Sequence, residues 1–213
     1  DLKTRMRDKL PNVVTLPQHF KQMGYTTAGV GKIFDPRGVD KQSDSVSWSL
    51  PYKRAHQLNY PQPWGPPTIG FYQNEEIKKR INTIIKSNDL NPGEAGHFLE
   101  TVYKPPFSSS PAPDEAYADG AIAAEALRMI DALSQNTKPF FLAVGFKRPH
   151  LPFSAPQKYW NFYKKERMPL ASFRARAENT GKLAYHFSGE LRSYVEEGRE
   201  FTTDANNQLV LDE

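Results

Sequence analysis

The sequence predicts an α/β fold, a mostly parallel sheet flanked by helices on both faces. Three observations predict it. Two helix-to-strand units lie far apart in the chain, over 12–34 and 113–148. Each strand is apolar or small throughout, as expected of strands covered on both faces. Each also ends in cationic residues, Lys32 in one case and Lys147-Arg148 in the other. The sheet rim beyond such strand ends is where open α/β folds bind ligands.

In the first unit Thr15 is a helix cap and Pro17 fits the first turn, where its missing N–H costs nothing. Leu16, Phe20 and Met23 fall on one helical face, and Gly24 ends the helix. Thr26-Thr27-Ala28-Gly29-Val30-Gly31 then reads as a short buried strand with Lys32 just past its end. The second unit opens on the start signal Pro113-Asp114-Glu115. Ala118, Ile122, Ala126, Ile130 and Leu133 follow at helical spacing, and after a turn at 134–138 the run 140–146 has strand length.

The stretch 49–113 holds many of the 18 prolines, with Tyr60 and Trp64 among them, and reads as an irregular insertion. It is either a binding loop or lid, or a stiff connection packed on the surface. Ile77, Ile81, Ile84 and Ile85 predict an amphipathic helix over 75–87 that anchors it. Beyond Phe153 a short helix is expected over 155–164, bearing Tyr159, Trp160 and Tyr163. A polar tail through Arg174, Arg176 and Tyr185 follows, and 202–213 carries no chemical signal.

The 213 residues suit one substantial domain. The net charge of +4 comes from 28 basic and 24 acidic residues scattered along the chain, which argues against a nucleic-acid partner. With no cysteine, disulfides, thiolate nucleophiles and Cys-ligated metals are excluded for these residues. No apolar run approaches the roughly 18 residues that span a bilayer, so no membrane partner is expected. The chain opens on Asp1, so a processing site or a targeting segment upstream stays open.

The chemically informative cluster is Lys147-Arg148-Pro149-His150. Three potential cations follow a strand, and Pro149 stiffens the turn that presents His150. Two readings stand at this point. Either the cluster binds an oxyanion, converging with Lys32 on a tetrahedral sulfate or phosphate, or it marks a solvated strand end whose histidine bonds a loop carbonyl.

The segments Gly29-Val30-Gly31-Lys32-Ile33-Phe34-Asp35-Pro36 and 140–153, which ends Lys147-Arg148-Pro149-His150-Leu151-Pro152-Phe153, resemble two blocks of the sulfatase family. This family belongs to the alkaline-phosphatase superfamily, and the likeness is greatest to its iduronate-sulfatase branch and bacterial relatives. It extends over 16–48 and 114–163, with weaker similarity at Ala184-Tyr185-His186 and Glu190-Leu191-Arg192. The resemblance implies that residues 1–213 are one incomplete sulfatase catalytic domain, with the Pro-rich insertion at about 49–113. It implies that Lys32 contacts both sulfate and nucleophile, and that His150 binds sulfate and protonates the leaving alcohol. Lys147 and Arg148 are further substrate-binding candidates for an acidic substrate, or else structural. Asp35 stands where that branch has a histidine, and either orients a neighbour or caps the turn with Pro36.

The family's nucleophile is a formylglycine made within a Cys/Ser-x-Pro/Ala-x-Arg motif, and no such motif occurs here. Its calcium is held by an early Asp-Asp pair and a late Asp-His or Asp-Asn pair, and neither pair is found. The expectation is therefore the middle of a sulfuric ester hydrolase, inactive alone, that supplies sulfate-binding residues and lacks the parent's N- and C-terminal segments. Its substrate would be a sulfated small molecule or glycan. The resemblance suggests a periplasmic, secreted or lysosomal parent. A non-catalytic anion- or glycan-binding protein and a related phosphoryl-transfer hydrolase are the alternatives.

Overall fold

The computed structural model describes residues 4–163, 168–169, 172, 178–181 and 190–195. Within them the chain forms α1 (Met6–Lys9), α2 (Leu16–Gln22), β1 (Thr26–Gly31), α3 (Glu75–Ser87) and α4 (Pro92–Val102). It continues through β2 (Phe107–Ser110), α5 (Ala118–Ser134), β3 (Phe140–Gly145), β4 (Phe153–Pro156) and α6 (Gln157–Trp160). Two compact units result, one within Asp1–Pro67 and Ala112–His150, the other within Thr68–Pro111 and Leu151–Glu213. The expected insertion therefore divides between them.

In the first unit β1 and β3 pair in parallel, in register from Thr26 opposite Phe140 to Gly31 opposite Gly145. Lys53 bridges the other edge of β1 at Val30. Helices α2 and α5 both pack on this sheet, giving the α/β class predicted. The Thr15 hydroxyl accepts from the Gln18 amide at 3.3 Å as an N-cap, and Gly24 leaves the helix at φ +91°. The inward face of α2 is narrower than its apolar spacing suggests. Phe20 stacks on Phe141 with ring centres 4.6 Å apart, while Leu16 and Met23 are exposed. Helix α5 buries Ala118, Ala121, Ile122, Ala126, Met129 and Leu133, with Ile130 outside that stripe.

Strand β3 differs from the fully covered strand expected. Most of it is half-buried and Val144 is exposed, because among the described residues β3 pairs only with β1. An apolar run signals an intended interior without saying whether the covering elements lie in the same segment.

The segment leading to β1 is tied down by a buried ion pair. The Arg7 guanidinium donates to Asp44 through Nε at 2.6 Å and Nη2 at 2.8 Å, and to the Val13 carbonyl at 2.8 Å. Asp44 is fully buried, accepts also from the Ser47 hydroxyl, and is held below its ordinary pKa of 3.8, chiefly by the Arg7 hydrogen bonds.

The second unit has its own core. The isoleucine face of α3 packs with Tyr72, Leu99 and Tyr103, and Ile81 is fully buried. Burying one such side chain contributes about 1.5–3 kcal/mol. Helix α4 is the element the proline-rich reading overlooks. Asn91 caps it, accepting from the Gly93 amide at 2.9 Å, while Glu94 reaches back to the Asn91 amide at 3.2 Å. Strands β2 and β4 pair in parallel, Phe107 opposite Phe153, and that pairing takes Ala155 and Pro156 into a strand. Helix α6 consequently starts at Gln157, later than expected. Lys164, Arg174, Arg176, Ala184-Tyr185-His186 and 202–213 lie outside the described residues.

Candidate functional site

Every sequence-predicted site residue lies in the first unit, at or beyond the C-terminal ends of β1 and β3. The two strand ends approach so closely that only glycine fits. A Cβ on Gly31, which has φ +88°, would stand 2.0 Å from the Gly145 carbonyl oxygen, and one on Gly145 would stand 1.9 Å from that of Lys32. This contact lets the Lys32 amide donate to the Gly145 carbonyl at 2.7 Å. It draws Lys32 alongside the loop that carries Lys147, Arg148 and His150.

Lys32 is bracketed on its other side by Tyr52. The Tyr52 hydroxyl accepts from the Ile33 amide at 3.1 Å and donates to the Gly31 carbonyl, so one phenol spans the lysine's two neighbours. Burial raises the Tyr52 pKa, which keeps that hydroxyl protonated as a donor. The Gly31 amide donates to the Lys53 carbonyl at 2.9 Å. Lys53 in turn reaches the buried Glu125 of α5, to which Arg128 also donates at 2.7 Å.

The opposing loop is gripped by a residue the sequence reading did not single out. Asp119, in the first turn of α5, accepts from the Lys147 amide at 2.8 Å and from the Arg148 amide at 2.9 Å. The loop closes through the His150 amide, which donates to the Lys147 carbonyl at 2.9 Å. The Arg148 guanidinium donates to the His150 carbonyl at 2.8 Å. One arm of Arg148 is thereby spent on the loop itself, and the exposed His150 is carried by a closed turn. An acidic residue early in a helix reads in sequence as a helix-start signal, so nothing local told that its carboxylate serves another strand's loop.

Burial lowers the Lys147 pKa, and the charges of Lys32 and Arg148 lower it further against the opposing pull of Asp119. Lys32 and Lys147 are thus near enough to repel. Asp35 is engaged by Arg37. Its carboxylate accepts from the Arg37 amide at 3.0 Å and from the Arg37 guanidinium at 2.9 and 2.8 Å, and these bonds hold its pKa well below the usual carboxylate range. Near the foot of α5, burial and then the charge of Asp119 push the Tyr60 phenol up to about 12. Its hydroxyl donates to the Ala55 carbonyl at 2.7 Å, and Trp64 packs against Ala112, Ala116 and Tyr117. This half of the proline-rich stretch is packed rather than free.

Among the described residues no group of three or more His, Asp or Glu side chains gathers to hold a metal ion. The calcium implied by resemblance therefore has no ligand set among the described residues. No helix among the described residues is long and apolar enough to cross a membrane.

The first unit is thus an α/β sheet of parallel strands whose adjacent ends carry Lys32, Lys147, Arg148 and His150 over tight glycine contacts. The Sulfatase family model matches residues 3–196, and the chain belongs to that family. It is 30% identical to mouse iduronate 2-sulfatase over 160 residues, covering 75% of this chain and 25% of the mouse protein. It is 27% identical to the human iduronate 2-sulfatase over 171 residues, covering 80% of this chain and 27% of the human protein. A sulfatase of Formosa agariphila is 26% identical over 153 residues, covering 71% and 25% respectively. The chain spans about a quarter of the length of these relatives.

Proposed function

We propose that this chain contributes the sulfate-binding rim of a sulfuric ester hydrolase, and that its two units are parts of one sulfatase catalytic domain. The observation that carries the reading is the Gly31–Gly145 contact, which sets Lys32 beside the loop of Lys147, Arg148 and His150. In this reading Lys32 and Lys147 neutralise sulfate oxygens, whose charge is shared most strongly as the sulfur–oxygen bond to the alcohol breaks. His150 binds sulfate and gives its proton to the departing alkoxide oxygen, so the alcohol leaves neutral. Arg148 orients the loop and offers its remaining donors to an acidic group. Asp35 serves the turn through Arg37 and takes no part in the chemistry. Asp119 and Tyr52 are positioning residues.

The nucleophile is not among these 213 residues, since the sequence holds neither cysteine nor the family's serine motif. In the family that group supplies the attack on sulfur, and the chain's part is to bind, orient and hand over a proton. We assign the substrate to sulfated small molecules or glycans and the parent protein to a periplasmic, secreted or lysosomal setting. The family membership supports both assignments.

Calorimetric titration of the chain with inorganic sulfate, beside an aryl sulfate hydrolysis assay, tests the reading. Saturable sulfate binding that Lys32→Ala and His150→Ala each weaken about tenfold or more, without turnover, is the expected result. Turnover by the chain alone would show that the nucleophile has been misassigned. Binding indifferent to both substitutions would remove the rim from the mechanism.

A further inference from the structure

A cavity of about 440 Å³ opens beside the turn that follows β1, separate from the Lys147–His150 loop. Arg5, Arg37, Lys41 and Arg54 line it, over an apolar surface from Pro36 and Val39. Two of these cations have carboxylate partners, Arg5 with Asp40 at 3.3 Å and Arg37 with Asp35 at 2.8 Å. Lys41 and Arg54 have no ion pair among the described residues, so the cavity wall carries an excess of positive charge.

A second, independent observation concerns Arg54. Its Nη2 donates to the Lys41 carbonyl, yet its Nε–H is buried with no acceptor among the described residues. A buried donor left unmet is costly, and this one is closed to solvent, so it reports on the setting of Arg54 without itself opening on the cavity. The Arg54–Lys41 bond also helps hold Lys41 and Gln42 in left-handed backbone, at φ 47° and 61°, a conformation that persists only where surroundings enforce it.

The cavity belongs to the same sheet rim as the site above. Arg37 lies five residues beyond Lys32, and Arg54 follows Lys53, whose carbonyl receives the Gly31 amide. Both walls therefore leave from the C-terminal end of β1. Guanidinium groups match the planar or tetrahedral faces of oxyanions through paired N–H donors.

We propose that this cavity is a second oxyanion-binding site, taking a sulfate or carboxylate group, in addition to the rim formed by Lys32 and Lys147. It rests on the cavity residues alone, so failure of sulfate binding at the rim would leave it standing. The occupant is either a free anion or a second acidic group on a ligand already held at the rim.

The buried Nε–H supplies its own reporter. The test is a proton–nitrogen NMR titration of the chain with sodium sulfate and then sodium acetate, at ionic strength held constant with sodium chloride. The Arg54 Nε–H resonance is expected to shift saturably, independently of the Lys147 and Arg148 amides that report the rim. Lys41→Gln should weaken that response about tenfold while the rim amides respond as before. Should Lys41→Gln disturb the spectrum elsewhere, Arg37→Gln gives the same reading from the other wall. A monosulfated and a disulfated monosaccharide then distinguish the sources. Tighter binding of the disulfated sugar, with both reporters moving together, identifies a second group of one ligand, and equal affinities identify a free anion. An Arg54 Nε–H that stays still, or follows chloride as it follows sulfate, overturns the proposal, as does a response that survives both substitutions unchanged.

Discussion

Replacing Asp119 by Asn sets two physical effects against each other with opposite signs. The carboxylate accepts two backbone amides, those of Lys147 and Arg148, at 2.8 and 2.9 Å. A hydrogen bond to a charged group is worth about 1.5–3 kcal/mol, and an amide side chain keeps one acceptor while turning a donor toward the second N–H. Water reaches this half-buried position and offsets part of the loss, so the substitution should cost about 1–3 kcal/mol of folding stability. It also deletes a negative charge beside the cationic rim. Electrostatics alone would tighten anion binding, by no more than about 1 kcal/mol for partly solvated charges. If Asp119 works by positioning, the loosened loop outweighs that gain and sulfate binds about fivefold more weakly or worse. Urea denaturation reads the stability and calorimetry with inorganic sulfate reads the binding. Sulfate binding that is tighter than in the parent chain, or unchanged, would refute the positioning argument even if the stability loss appeared as expected.

Gly145→Ala forces a methyl to within 1.9 Å of the Lys32 carbonyl and should cost about 3 kcal/mol or more, whereas Gly96→Ala in α4, where nothing lies within 4 Å of the added Cβ, should be neutral or stabilising by up to about 1 kcal/mol; urea midpoints decide both. Asp44→Asn leaves the Arg7 guanidinium without its charge partner inside the fold and should cost about 3 kcal/mol. Because the folded pKa of Asp44 lies below 3.8, its contribution is complete above that value and is lost as pH falls toward the folded pKa. Acid denaturation of the parent chain should therefore be steeper below pH 3.8 than that of Asp44→Asn. The depressed pKa of Lys147 predicts that sulfate binding weakens as pH rises through a value below 10.5, and that Lys32→Gln moves the Lys147 titration back upward. Folding linkage has the other sign, with stability rising as this lysine loses its proton between its folded pKa and 10.5. Nitrogen-detected NMR of the lysine side chains follows the titration, and an unmoved Lys147 in Lys32→Gln would show that Lys32 is not its neighbour.

Much of the first unit is legible because its signals are local. A capped helix, a glycine stop and a short small-residue strand specify α2 and β1 within about a dozen neighbouring positions, and an apolar stripe specifies α5. The placement of Lys32 and Lys147 at strand ends follows from those boundaries. What the sequence conceals is whatever depends on partners distant in the chain. The parallel pairing of β2 with β4 joins segments 46 residues apart at Ser108 and Ser154, and nothing in either four-residue run announces it. The cap of α4 is present in Asn91 and Glu94, but it lies within a stretch whose prolines signal irregular chain. Asp119 and Tyr52 escape for the same reason as the sheet pairing. Each serves a backbone segment that only the folded chain brings near, Asp119 across 28 residues and Tyr52 across 21 to Gly31.

These hidden contacts fix the backbone on both sides of the cationic rim. Lys32 and Lys147 repel each other, and burial of Lys147 adds to the cost of its charge. The backbones of the two lysines are held by contacts independent of the charges. Lys32 is anchored by Gly145 and flanked by Tyr52, while Lys147 is anchored by Asp119. The fold therefore confines the two backbones, and under the proposed function an oxyanion between the two ammonium groups would offset their repulsion. Preorganised charge of this kind favours the anion without rearrangement on binding. Under the proposed function, proton uptake by Lys147 and anion binding would each raise the affinity for the other.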